Sequence, residues 1–279
     1  MSSRPLRVVA AVLLLAGLGA AAAVRAAERP AFVTVYQRPS TDDYRVLYDE
    51  LRHERFLESV ADELNRVLVL PASVTLRLAE CGHSTTTWDG AERTATICYE
   101  FLDAVLVIAG DTAASAERRE QLFSGAVTFA LFAEVGRALT QLYSLPAPHG
   151  APRAGDEFAA ITLASAERTG DATAAAAVEF YDAALRQPDS GFEYLETHAF
   201  DRSRLETVAC LLYGNAPGNH GASLARGIIP AARAPRCAEE LVAVATAWES
   251  ALKNHSRAPA APAAPAAQGA PVAPAPAPH

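Results

Sequence analysis

The stretch that decides the fold is residues 116–143, AERREQLFSGAVTFALFAEVGRALTQLY. Its apolar residues recur at helical spacing and cover a wide face, formed by Leu122, Val127, Ala130, Leu131, Val135, Ala138, Leu139 and Leu142. An apolar face this wide is typical of a helix buried inside a domain. The sequence therefore predicts a central helix here, around which the other elements pack.

The segments before this helix carry strand signals, and the segments after it are mostly helical. Strands are predicted over 31–37 and 73–78, and Asp89-Gly90 predicts the turn of a hairpin that returns over 94–98. One helix is predicted over 44–67 with its N-cap at 41–43, and others over 99–109, 155–168, 171–186, 201–212 and 237–254. This order predicts an α+β fold, with a small N-terminal sheet and hairpin followed by a mostly helical half.

Both ends of the chain differ from the middle. Residues 1–26 have the pattern of a signal peptide, with Arg4 and Arg7, an apolar run over 8–24 and a cleavage site after Ala26. The alternative is a membrane anchor, for which this run is at the short limit, and no later stretch looks long and apolar enough to span a bilayer. Residues 257–279 are almost only Ala and Pro, which predicts an extended, disordered tail. One domain remains, over residues 28–256.

The charge of the exported chain limits its partners. Three of the 24 basic residues lie in the leader, so 21 remain against 32 acidic residues, a net charge of −11. Nucleic acids and anionic membrane surfaces require clustered Lys and Arg. We therefore expect no nucleic-acid partner, and no membrane contact once the leader is removed.

The four cysteines, Cys81, Cys98, Cys210 and Cys237, are an even number in a chain with an export signal. This predicts two disulfides, for which three pairings are possible. We favour Cys81–Cys98 and Cys210–Cys237, because each closes a local loop. A four-cysteine zinc site is the alternative, but the wide spacing without a C-x-x-C pair disfavours it.

The central helix contains part of a zinc-peptidase pattern. In such helices two histidines four residues apart bind zinc, and a glutamate next to the first activates the bound water. Glu134 holds the glutamate position here, whereas Ala133 and Arg137 stand at the histidine positions. Alanine has no ligand atom and arginine stays protonated, so neither binds zinc. Taken alone, Glu134 would be interpreted as an ordinary glutamate on a helix surface.

Further segments in a fixed order make the chain resemble a family of exported putative zinc metallopeptidases of the H-E-x-x-H type. The resemblance covers about residues 40–250, and it rests on 80–82 (ECG), 97–100 (ICYE), 132–139 (FAEVGRAL), 145–146 (LP), 156–159 (DEFA), His198 with Asp201 and Arg204, and 210–214 (CLLYG). It implies a zincin-like fold, a zinc cofactor and peptidase activity.

The departures from the family pattern concern the zinc ligands. The H-E-x-G-H motif is replaced by Ala133-Glu134-Val135-Gly136-Arg137, and of the acidic cluster that would supply a third ligand only Asp156 is present. A catalytic zinc site needs about three protein ligands. We therefore expect no metal and no cofactor, and we treat Ala133, Arg137 and Asp156 as vestigial metal-site positions.

Arg137 suggests how the site is neutralised without zinc. Two carboxylates left together would need a countercharge, and Arg137 could hydrogen-bond both Glu134 and Asp156. The alternative is that Arg137 points to solvent. His198 is expected to border the cleft, where a cap or a structural hydrogen bond is favoured over a ligand role.

These observations favour an exported, non-catalytic relative of a zinc peptidase that binds a peptide or protein in the periplasm or outside the cell. One alternative is an active peptidase, metal-dependent or metal-independent, that uses Glu134. Another is an interaction module that is spaced by its Ala/Pro tail. The sequence specifies neither the partner nor the oligomeric state.

Overall fold

The computed structural model describes residues 29–147, 150–165, 170–187 and 190–257. The predicted leader lies outside this part of the chain, as does the predicted tail apart from Arg257. The described part begins with a four-stranded sheet and continues into a mostly helical half, which confirms the α+β prediction.

The sheet has the strand order β1-β2-β4-β3, formed by β1 (Phe32–Tyr36), β2 (Val74–Ala79), β3 (Thr86–Asp89) and β4 (Thr94–Cys98). β1, β2 and β4 run parallel, and β3 pairs antiparallel with β4 as the predicted hairpin. β4 is buried along its whole length, whereas β3 forms one edge of the sheet. That edge is the side of the sheet nearest the candidate site.

The crossover from β1 to β2 contains two helices, so the prediction of one helix over 44–67 is wrong. α1 (Arg45–His53) buries no residue, whereas α2 (Phe56–Val67) buries Leu57, Val60, Ala61 and Leu64. Arg55 separates them with φ 54°, a left-handed conformation that changes the chain direction. The predicted N-cap side chains over 41–43 form no cap, since Asp42 accepts from the Arg45 N–H through its backbone oxygen at 3.1 Å.

The central helix is confirmed as α4 (Ala116–Leu142), which follows α3 (Tyr99–Thr112). Ser115 caps it by accepting a hydrogen bond from the Arg118 N–H at 3.1 Å. Among the described residues, α4 is long and apolar enough to cross a membrane, judged by length and composition alone. The expectation that no stretch after the leader has this length and composition is therefore wrong. Its apolar window is 83% buried, and we attribute its composition to this position in the core.

Glycines allow α4 to lie very close to α5 (Ala151–Ser165). A Cβ atom on Gly136 would lie 2.7 Å from the Cβ of Phe158, and one on Gly155 would lie 2.5 Å from the carbonyl oxygen of Ala133. Side chains at these positions would force the helices apart. The close contact places Asp156, the residue after Gly155, beside the motif of α4.

The remaining helices are α6 (Gly170–Ala184), α7 (Tyr194–Thr197), α8 (Arg202–Asn215), α9 (Pro217–Ala225), a 3₁₀ turn (Ala234–Arg236) and α10 (Cys237–Leu252). The helices predicted over 171–186, 201–212 and 237–254 are present with shifted ends. The helix predicted over 155–168 is present with an earlier start, and its positions 166–168 lie outside the described residues. The short α7, α9 and the 3₁₀ turn were not predicted. Asp201 caps α8 by accepting from the Arg204 N–H at 2.9 Å, which fixes the start of the helix that carries Arg204.

Both favoured disulfides are present, and no cysteine in the described chain is free. Cys81–Cys98 ties the residue that follows β2 closely to the last residue of β4, and it does not join the two strands of the β3–β4 hairpin. Cys210–Cys237 ties α8 to the first residue of α10. The disulfides thus tie together neighbouring elements that come before and after the central helix in the chain.

Candidate functional site

Glu134 lies at the centre of the site and is fully buried on α4. Three groups meet one of its oxygens, Oε1: the Thr86 hydroxyl donates to it at 2.5 Å, His198 Nε2 lies at 2.9 Å and Arg137 Nη1 lies at 2.7 Å. They come from the edge strand β3, from the residue after α7 and from the next turn of α4. The carboxylate is therefore surrounded by hydrogen-bond donors and positive charge.

His198 is held in a fixed orientation. Its ring stacks on the ring of Tyr194 at 4.2 Å, and its Nδ1 lies 3.0 Å from the hydroxyl of Thr197. Because an ionised carboxylate only accepts hydrogen bonds, we assign a proton to Nε2, which donates to Glu134. His198 lines the cleft, and its hydrogen bond to Glu134 connects the residue after α7 to α4.

Asp156 is neutralised by Arg204 of α8 and not by Arg137. Arg204 Nε donates to Asp156 Oδ2 at 2.6 Å, and its Nη2 donates to the carbonyl of Pro152 at 3.2 Å. Arg204 also donates to the carbonyl of His198. One buried guanidinium therefore joins α5, α8 and the His198 loop behind the site.

The arginine hypothesis is thus correct for one acid and wrong for the other. Arg137 is only 9% exposed and pairs with Glu134, so it does not point to solvent. It makes no ion pair with Asp156, because Asp156 faces Arg204. The charges of the site form two neighbouring pairs, one within α4 and one between α5 and α8.

The environment sets the acidity of both carboxyl groups. Burial alone would raise the pKa of Glu134, but Arg137, His198 and Thr86 outweigh it and hold this pKa at about 2. Burial raises the pKa of Asp156 in spite of Arg204. Glu134 is therefore an anion at neutral pH with very little tendency to accept a proton.

Five buried side-chain atoms in the described residues have no hydrogen-bond partner: Glu134 Oε2, Arg137 Nη1, Arg137 Nη2, Asp156 Oδ1 and Tyr194 OH. Arg137 Nη1 is in this group although it lies 2.7 Å from Glu134, so the contact is an ion pair without the alignment of a hydrogen bond. Unpaired buried polar groups are costly and concentrate at functional sites. All five atoms belong to four residues of this site, which is the pattern expected of a functional site.

A cleft of about 590 Å³ opens above Glu134. It is lined by Thr85, Thr86, Thr87 and Trp88, by the start of α5, and by Glu134, Arg137 and His198. Successive side chains of a strand point to opposite faces, so a cleft lined by consecutive residues runs along the edge of β3. The buried pair thus lies under an open groove beside a sheet edge.

Comparison with protein-family models matches residues 36–252 to the family described as "putative metallopeptidase". The chain belongs to this metallopeptidase family. The resemblance seen in the sequence is therefore confirmed over most of the chain. Comparisons with curated proteins and with solved structures gave no significant match.

The metallopeptidase family implies a zinc ion, and the residues present do not fit one. Ala133 offers no ligand atom, and the guanidinium of Arg137 lies directly against the carboxylate of Glu134, where it would repel a cation. In the described residues, the group of His, Cys, Asp and Glu side chains close enough to share a metal is Cys81, Cys98 and Glu100. Its two cysteines form a disulfide, which removes their thiolates as ligands.

The structure thus brings Ala133, Glu134, Arg137, Asp156 and His198 together at one place in the domain. Sequence reasoning missed three participants: Thr86, Tyr194, and Arg204 as the partner of Asp156. Arg204 was among the residues that carried the family resemblance, which was the available signal. Thr86 gave no local signal, because its role depends on β3 passing the centre of α4.

Proposed function

We propose that this metallopeptidase-family protein is exported, holds no zinc, does not hydrolyse peptides, and binds an extended peptide segment in the cleft beside β3. The ion pair between Arg137 and Glu134 is the observation that carries the proposal. It puts an internal cation next to the carboxylate that, in a zinc peptidase, would activate the metal-bound water.

The acidity of Glu134 supports loss of catalysis. A general base is most effective when its pKa is near the working pH. Glu134 has a pKa of about 2, and one of its oxygens is already occupied by three neighbouring groups. A metal-independent peptidase based on Glu134 would therefore have a poor base, so we favour binding over catalysis.

The edge of β3 supports a peptide as the ligand. An edge strand offers backbone N–H and C=O groups, and extended peptides bind many proteins by adding a strand to such an edge. The cleft follows the chain from Thr85 into β3 as far as Trp88, so consecutive threonines and an aromatic residue line it. This combination suits a peptide backbone better than a small apolar ligand.

Export is supported by the two disulfides, because such bonds persist in oxidising compartments. The predicted leader at residues 1–26 agrees with this. We propose a periplasmic or secreted location, with a peptide or protein as partner. The acidic net charge supports the exclusion of nucleic acids and, after removal of the leader, of anionic membrane surfaces.

Peptide capture tests the proposal. The purified domain is immobilised and exposed to a synthetic library of unstructured decapeptides, and retained peptides are identified by mass spectrometry. Thr87→Arg places a bulky side chain at an exposed position of the cleft wall. Val33→Arg, at a 45% exposed position on β1 at the opposite edge of the sheet, is the matched control.

We expect the unmodified protein and Val33→Arg to retain the same peptides intact, and Thr87→Arg to bind them about tenfold more weakly, or about 1.4 kcal/mol. Equal capture by the two variants would place binding outside the cleft. Recovery of cleaved peptides, with cleavage abolished by Glu134→Gln, would show an active peptidase and overturn the proposal.

A further inference from the structure

A second groove, of about 600 Å³, lies away from the site and shares no lining residue with the cleft. It is formed by α5, α10 and the segment after α4, and its walls include Leu145, Pro146, Ala147, Val244, Ala247 and Trp248. Its volume is in the range of pockets that hold drug-sized molecules. A largely apolar groove of this size suits an occupant that is itself apolar.

The chain itself supplies such a segment. Residues 258–279 follow the last described residue, and they contain no Asp, Glu, Lys or Arg. Proline and alanine dominate these 22 residues, the difference between 279 and 257. At about 3.1 Å per residue in a polyproline conformation, they could reach about 68 Å.

The point where this segment begins is fixed near the groove. After α10 ends at Leu252, the chain pairs with the segment after α2, and the Arg257 N–H donates to the carbonyl of Val67 at 2.8 Å. The ring of His255 stacks on Tyr143 at 3.9 Å, two residues before the groove residue Leu145. The last described residues, His255 to Arg257, therefore lie next to the chain that leads into one wall of the groove.

We propose that residues 258–279 occupy this groove in the same molecule, with proline and alanine side chains packed on Trp248 and Pro146. Proline-rich segments bind aromatic-lined grooves at a low entropic cost, because proline restricts the free chain. The covalent link gives the segment an effective concentration of about 1 mM at the groove. A segment that binds with a dissociation constant of about 0.1 mM in free form would then be docked about 90% of the time.

The test follows the indole N–H signal of Trp248 by NMR. The chain has two tryptophans, so Trp88→Phe identifies the Trp248 signal. The signal is compared in the full chain and in a chain that ends at Arg257. Ala247→Arg puts a charge at an exposed position of the groove wall, and Thr246→Arg, at the exposed neighbouring position outside the groove, is the matched control.

We expect truncation to shift the Trp248 signal, Ala247→Arg to reproduce that shift in the full chain, and Thr246→Arg to leave the signal in place. A synthetic peptide of residues 258–279, added to the truncated protein at about 1 mM, should move the signal back. An unchanged signal on truncation would overturn the proposal even if Ala247→Arg failed to fold. A signal in the full chain that changes on about tenfold dilution would show a tail from a second copy, which also overturns it.

Discussion

Replacing Arg137 with alanine removes the cation that lies against the buried carboxylate of Glu134. Removing one partner of a buried ion pair typically costs about 3–5 kcal/mol, because a charge is left uncompensated. Glu134 would keep its contacts with Thr86 and His198, at 2.5 Å and 2.9 Å, so we expect the lower end of this range. The expected loss is about 3 kcal/mol in the free energy of unfolding.

The acidity of Glu134 gives a magnitude for all neighbours of its carboxylate together, among which Arg137 lowers the pKa most. A pKa of about 2 in the folded chain, against the ordinary 4.5, corresponds to roughly 3 kcal/mol of stability near neutral pH. For a domain of this size, a loss of about 3 kcal/mol lowers Tm by roughly 6–12 °C. Both estimates place the effect well above that of a surface substitution.

The assay is urea unfolding at neutral pH with the disulfides intact. Arg119→Ala, at an exposed position on the same helix, is the matched control, and we expect it to change stability by less than about 0.5 kcal/mol. The double variant Glu134→Gln/Arg137→Met removes both charges and should be more stable than Arg137→Ala, because no unpaired charge remains. If Arg137→Ala matched Arg119→Ala within about 0.5 kcal/mol, Arg137 would not be the countercharge of Glu134.

Three further predictions follow from the same structure. Because the folded-state pKa of Glu134 lies below its ordinary value, the stability that its ionised form contributes is present above about pH 4.5 and should be lost as the pH falls towards 2. Unfolding of the protein and of Glu134→Gln across this window should therefore show the difference in their free energies of unfolding shrink as the pH falls. Arg204→Ala should lower the free energy of unfolding by about 3 kcal/mol or more, because Asp156 is left buried without its cation. Arg204→Lys should restore little of this stability, because lysine cannot contact Asp156 and the Pro152 carbonyl at once, and full restoration by lysine in urea unfolding would contradict this role of the guanidinium. Gly136→Ala should destabilise by about 1–3 kcal/mol through overpacking, whereas Gly221→Ala, which meets no neighbouring atom, should not destabilise; equal midpoints in thermal unfolding would contradict the close helix contact.

The sequence predicts those parts of the fold that depend on local pattern. The central helix and the hairpin turn at Asp89-Gly90 were both predictable, because helical periodicity and turn propensity act over a few residues. The break at Arg55 was not, because α1 and α2 are each amphipathic and together resemble one long helix. Their separation comes from α2 packing on the core while α1 buries nothing, which is a tertiary effect.

The candidate site likewise combines contacts that have a local sequence signal with contacts that have none. The contact between Arg137 and Glu134 lies within one turn of a helix, and the sequence suggested it because an arginine stands where the family pattern has a zinc ligand. Asp156 and Arg204 are 48 residues apart, and Thr86 and Glu134 are also 48 residues apart, so neither pair has a local signature. The family resemblance named Arg204 and His198 but did not indicate which carboxylate each would contact.

The most direct test of the central claim is the zinc content of the purified protein after dialysis against zinc and then against buffer, measured by mass spectrometry. We expect less than about a tenth of an equivalent of zinc. The site offers one imidazole and two carboxylates as ligands, and both carboxylates are already paired with an arginine. Stoichiometric zinc that is lost in His198→Ala or Glu134→Ala would show a metal centre at this site. That result would contradict the account.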